Sequence, residues 1–234
     1  NALVNIGLNF GADEADGSGS GTLAADEVAG VVPQANWNNL DLLEGTSEAT
    51  IVADVDGMPV ATDATVTWTS NNTWASTGRG EENNLFTGSD LTLMTGYLDT
   101  GAATTSTVTI SGIPADVADA GYDAYVYLLG GVPLKGGGYR VLSGSTVLAD
   151  YVIAEPPANP DSYVEVVPMP EGAIGNYIRF CGLTAADITI EATTDGGLGF
   201  GDNPRAPINA VQLVSPASCV PPPMPPTMTI THNE

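Results

Sequence analysis

Hydrophobic and polar positions alternate along most of this chain, and residues 121–129 show the pattern best. Tyr122, Ala124, Val126 and Leu128 fall on one side of an extended strand; Asp123, Tyr125, Tyr127 and Leu129 fall on the other. Both sides carry bulk, so this segment reads as an interior strand covered on both faces. Val4, Ile6, Leu8 and Phe10 share a face near the start, and Val66 and Trp68 alternate with threonines at 65–69. Similar short runs recur at 49–53, 58–60, 105–110, 139–142, 145–151, 163–167, 176–180, 187–192 and 206–214. Asp56-Gly57 and Ser143-Gly144 mark hairpin turns. No window sustains an apolar period of 3.6 residues, so no helix is expected. About a dozen short strands punctuated by Gly, Asn, Asp and Pro predict an all-β fold: a single antiparallel β-sandwich, jelly-roll-like.

The pattern changes after Val214. Residues 1–216 read as the sandwich domain and residues 217–234 as a Pro-rich tail. Within the tail, 221–226 form a polyproline II spacer, and 227–232 alternate again like a strand. Met228 and Ile230 would face one side of that strand. A stiff spacer ending in a strand suits docking on a neighbour's groove or open sheet edge. A head-to-tail contact of that kind propagates unless it closes into a ring.

Composition narrows the function classes. The chain has 234 residues, 43% of them apolar, sufficient for a real core. It carries 28 acidic against 5 basic residues, a net charge of −23. Such a field repels nucleic acid and anionic lipid, so neither is expected as a partner. No apolar run is long enough to span a membrane, so no membrane insertion is expected. The chain opens directly in a strand-like run, which reads as a mature exported product. Cys181 and Cys219 are the two cysteines, and an even count in an exported chain favours a disulfide between them.

Candidate chemistry is sparse. The single histidine, His232, lies in the tail, which argues against His-based triads, Cys–His catalysis and His-based metal sites. Paired carboxylates cannot be singled out among 28 acids. Asp13, Glu14 and Asp16 sit in a glycine-rich loop whose carbonyls would help satisfy the oxygen ligands that Ca²⁺ wants, and they are the candidate calcium ligands. Asp54, Asp56 and Asp202 are weaker ones. Trp37, among amides, reads as a plug under an irregular loop. Trp74, in a polar run with Asn72, is the better candidate for an exposed glycan contact.

Several stretches together resemble a known family. They are residues 5–11, 31–40 and 67–74, then Gly96-Tyr97-Leu98-Asp99, residues 122–127, and residues 205–213. Their order is similar to that in β-sandwich domains of the broad galactose-binding-like type, found in secreted and cell-surface proteins of planctomycete-like environmental bacteria. The resemblance spans most of residues 3–214 and implies an exported, non-catalytic module. It carries over no catalytic residues, and the Pro-rich end departs from the sorting anchors common in such proteins. The sequence therefore predicts an extracellular or cell-surface structural subunit, not an enzyme. It would assemble with copies of itself through the tail into a filament or sheet, with calcium as the one candidate cofactor. The alternative is a carbohydrate-binding module that takes extracellular glycans.

Overall fold

The computed structural model describes residues 3–11, 21–47, 49–167, 173–199 and 201–219. The first half holds β1 (Val4–Phe10), β2 (Asn38–Leu40), β3 (Glu44–Thr46), β4 (Val52–Val55), β5 (Met58–Ala61), β6 (Thr65–Thr69) and β7 (Asn72–Ala75). Helix α1 (Gly88–Leu93), β8 (Gly96–Asp99), β9 (Thr105–Ser111), helix α2 (Ala115–Ala120) and β10 (Tyr122–Tyr127) follow. The second half holds β11 (Gly137–Ser143), β12 (Thr146–Glu155), β13 (Ala173–Ile174), β14 (Tyr177–Leu183), β15 (Ile188–Thr193) and β16 (Ala210–Ser215).

The strands form the expected all-β sandwich. One sheet runs β14-β10-β16-β1-β4-β5, with β2 parallel to β1. The other runs β13-β12-β11-β15-β9-β6-β3, and β7 and β8 make a separate two-stranded ribbon. Pairing is antiparallel except for β1–β2 and β12–β13. The main core lies between the two large sheets. Ile6, Leu8, Val126, Val211 and Leu213 face Val66, Val108, Ile110, Val141 and Ile190 across it. As the alternation requires, β10 sits inside its sheet between β14 and β16 and is buried along its whole length.

A second core covers the outer face of the first sheet. Tyr125, Tyr127, Ala210 and Val214 pack there against Trp37, Phe86, Leu93 and Met94 from loops and α1. Trp37 is buried, and its indole N–H donates to the Gln34 carbonyl (3.1 Å). Glycine at position 7 follows from this packing: a Cβ there would lie 2.5 Å from the Trp37 ring. Asn5 and Asn9 look solvent-facing in the sequence pattern, yet these covering segments bury them.

Three expectations need correction. Among the described residues there are two short helices, each six residues, too short for any periodicity to register. Residues 163–167 do not form a strand. They make an isolated bridge from Glu165 to Tyr177, and Asn176 takes the neighbouring groups: Val164 N–H donates to Asn176 Oδ1, and Asn176 N–H to Val164 O. The β11–β12 turn sits at Gly144-Ser145, one residue later than expected, with Gly144 supplying the positive φ of 56°. The Asp56-Gly57 turn stands as expected, with φ of 50° and 85°.

Among the described residues no helix is long and apolar enough to cross a membrane. The chain leaves β16 through Pro216 and stays attached to the sandwich as far as Cys219. Ala217 N–H donates to Gly121 O, Ser218 N–H donates to Asp123, and Cys219 is disulfide-bonded to Cys181.

Candidate functional site

The β7–β8 ribbon builds a polar cleft. Its register pairs Asn72 with Asp99 and Trp74 with Tyr97. Strand side chains alternate, so all four fall on one face of the ribbon. The ribbon is fixed from behind. Leu98 and Ile208 exchange backbone hydrogen bonds (2.9 and 3.1 Å), and buried Asn209 donates through Nδ2 to the carbonyls of Gly96, Met94 and Leu129. Tyr97 is buried; its oxygen accepts from Gly131 N–H (3.0 Å), and burial pushes the phenol far above its ordinary pKa, so it stays protonated.

Two loops supply the opposite wall, with Lys135 from one and Arg205 from the other. The cavity between the ribbon and these loops measures about 290 Å³. Arg205 Nε lies 3.4 Å from Asp99 Oδ1, and its Nη1 donates to Asn203 Oδ1 (3.1 Å). Asp99 Oδ1 makes this ion pair without a properly directed hydrogen bond. Burial raises the Asp99 carboxyl pKa, Arg205 opposes the rise, and neighbouring Glu81 adds to it. Lys135 Nζ donates to the Asp202 carbonyl (2.7 Å).

Trp74 is half-buried, which corrects the expectation that it stands exposed. Its indole N–H donates to Glu81 Oε2 (3.0 Å), and the Arg79 guanidinium sits 4.6 Å from its ring centroid. Trp74 does not project into solvent with the run's exposed asparagines, because Arg79 and Glu81 from the following loop contact its ring and its N–H. Asn72 is exposed at the cleft mouth.

Of the residues named from sequence, Trp74 and Asn72 therefore line one cleft. Glu81, Tyr97, Asp99, Lys135 and Arg205 were missed, being spread over more than a hundred positions with no motif to join them. The scarcity of basic residues is the one signal that could have found Lys135 and Arg205.

The expected disulfide is present: Cys181 and Cys219 are bonded, with Cα atoms 5.5 Å apart. Buried Asp123 lies beside it. This carboxylate accepts from Arg179 Nη2 (2.6 Å), Gly182 N–H (2.9 Å) and Ser218 N–H (2.9 Å). Burial works to raise its pKa, but these bonds outweigh burial and hold it below the ordinary value. Asp123 and the two cysteines are metal-ligand types in one cluster, yet the disulfide ties up both sulfurs.

The candidate calcium ligands Asp13, Glu14 and Asp16 lie outside the described residues, as do Met228 and Ile230 of the tail. Asp54 is buried and accepts from Ala35 N–H and Asn36 Nδ2, which makes it a clasp for the loop that carries Trp37.

No family model, curated protein or solved structure matches this chain. Geometry and chemistry therefore carry the functional reading.

Proposed function

We propose that the chain is a non-catalytic extracellular module that binds a saccharide in the cleft beside Trp74. One observation carries this: a single ribbon face presents an amide, an indole, a phenol and a carboxylate toward one polar cavity. Sugars offer both apolar C–H faces and directional hydroxyls, so they need this mixture of an aromatic body with planar donors and acceptors. Arg79 covers part of the Trp74 ring, so stacking would use the ring surface turned to the cavity. The disulfide favours an oxidising compartment, and the resemblance to galactose-binding-like domains points the same way. The test is an array of diverse oligosaccharides probed with the wild type, Trp74→Ala and Asn72→Ala. Binding by the wild type that falls at least tenfold in Trp74→Ala, with unchanged melting, is the expected result. A blank array, or binding indifferent to Trp74, would sink the idea.

Self-assembly is the second reading, and an apolar groove favours it. Val4, Val55, Val60, Ile113, Val117 and Pro216 line a cavity of about 860 Å³ beside edge strand β5. In this reading Met228 and Ile230 of a second copy lie in that groove. The neighbouring edge itself is a poor acceptor. The two-residue turn directs the backbone groups of Pro59 and Ala61 away from β4, and proline offers no N–H. Side-chain burial in the groove, rather than strand addition to β5, would have to drive such assembly. Deleting residues 220–234 and following particle size by light scattering decides it, since unchanged polymers would exclude the tail.

A further inference from the structure

The distribution of the few cationic side chains narrows the ligand of this cleft. The chain has only five Lys and Arg residues against 28 acids. Two serve the sandwich. Arg140 pairs with Glu191 at 2.9 Å, and Arg179 pairs with buried Asp123 at 2.6 Å. The other three come from distant parts of the chain and gather at this cleft, Lys135 and Arg205 in its lining and Arg79 over the Trp74 ring. In a molecule with so few cations, that gathering sets positive side chains beside the cleft carboxylates Glu81 and Asp99.

Two of the three keep donors in hand. Arg205 meets Asp99 only through Nε, and its Nη1 turns to Asn203 and Pro204. Its Nη2 has no acceptor among the described residues. Lys135 makes no ion pair among them, and one backbone carbonyl satisfies one of its three N–H groups. The nearby carboxylates are already engaged. Asp99 faces Arg205, Glu81 takes the Trp74 N–H, and Glu82 accepts from Thr77 and Gly78. Asp202 offers Lys135 its carbonyl, and its own side chain is exposed.

We infer that the saccharide bears an anionic group, a carboxylate or a sulfate ester, held between Lys135 Nζ and Arg205 Nη2. The inference rests on the saccharide reading above and adds the charge of the ligand. Ammonium and guanidinium donors give short, charge-assisted bonds to such oxygens. A neutral sugar would offer these donors only uncharged hydroxyl oxygens, which make weaker bonds than an anion's oxygens, while an anion docked away from these cations meets the field of a molecule with net charge −23 unrelieved.

Calorimetry of the whole chain with matched probes tests this. One pair is tetragalacturonate and its fully methyl-esterified form; the other is a sulfated galactose tetrasaccharide and its desulfated form. The expected result is binding of one acidic probe at least tenfold tighter than its neutral match. Lys135→Gln and Arg205→Gln should each weaken it roughly ten- to thirtyfold, while Arg205→Lys retains part of it. Which acidic probe binds identifies the group as carboxylate or sulfate. Arg205→Gln also leaves Asp99 unpaired, so Lys135→Gln, which breaks no ion pair, is the decisive variant. Equal binding of charged and neutral probes overturns the inference but leaves the saccharide reading standing, as does array binding with no acidic probe bound. A blank array overturns both.

Discussion

Asp123 is the residue on which the end of the described chain depends. It is fully buried on β10, and its oxygens collect donors from Arg179, Gly182 and Ser218. Removing one partner of a buried ion pair leaves the other charge uncompensated, so Asp123→Asn should cost about 3 kcal/mol, read from urea unfolding. The same site predicts a direction with pH. Its folded pKa lies below the unfolded value, so its stabilisation is complete above the ordinary carboxylate pKa of about 3.9. It is lost as pH falls from there through the folded value. The urea midpoint of Asp123→Asn should accordingly fall less between pH 5 and pH 3 than that of the wild type. Legibility differed by residue here. The alternation placed Asp123 beside Tyr125 and Tyr127 on a strand face whose bulk marked it as covered, but nothing in the sequence said which segments would supply the cover. Burial of Asn5 and Asn9 was hidden for the same reason, since loops distant in sequence supply the cover.

At the scale of elements, strands were legible and their exceptions were not. The runs on β1, β6, β10 and β16 became strands because each packs an apolar face into the main core. Residues 163–167 have the same alternation but gain only one bridge, because Asn176 occupies the backbone groups a ladder would need. Edge strand β5 carries exposed Met58 and Val60, an invitation to pairing that Pro59 blunts. Pro59→Thr restores an outward N–H and should raise light scattering during slow heating while leaving the folded circular dichroism unchanged. The disulfide acts between elements, joining β14 to the segment after β16 across a sequence separation of 38. Cys219→Ser should lower stability by about 4 kcal/mol on the chain-entropy model, seen as a reduced urea midpoint with strand content retained.

For the whole molecule, charge is the dominant variable. A net charge of −23 repels itself across a sandwich of this size, and salt screens that repulsion. Raising NaCl from ~0.01 M to ~1 M, which shortens the Debye length about tenfold, should raise the melting temperature. Unchanged melting would mean that the acidic groups are too dispersed to strain the fold. The sequence by itself determined the all-β class, the position of the central strand, the hairpin at Asp56-Gly57 and the pairing of the only two cysteines. Each of these follows from local alternation, turn chemistry or a count. Only the tertiary structure decided that Asn72, Trp74, Tyr97 and Asp99 share one ribbon face, and that Lys135 and Arg205 meet them across a cleft. Strand register and loop placement bring those residues together, and both depend on burying apolar surface elsewhere in the sandwich, which no local pattern records.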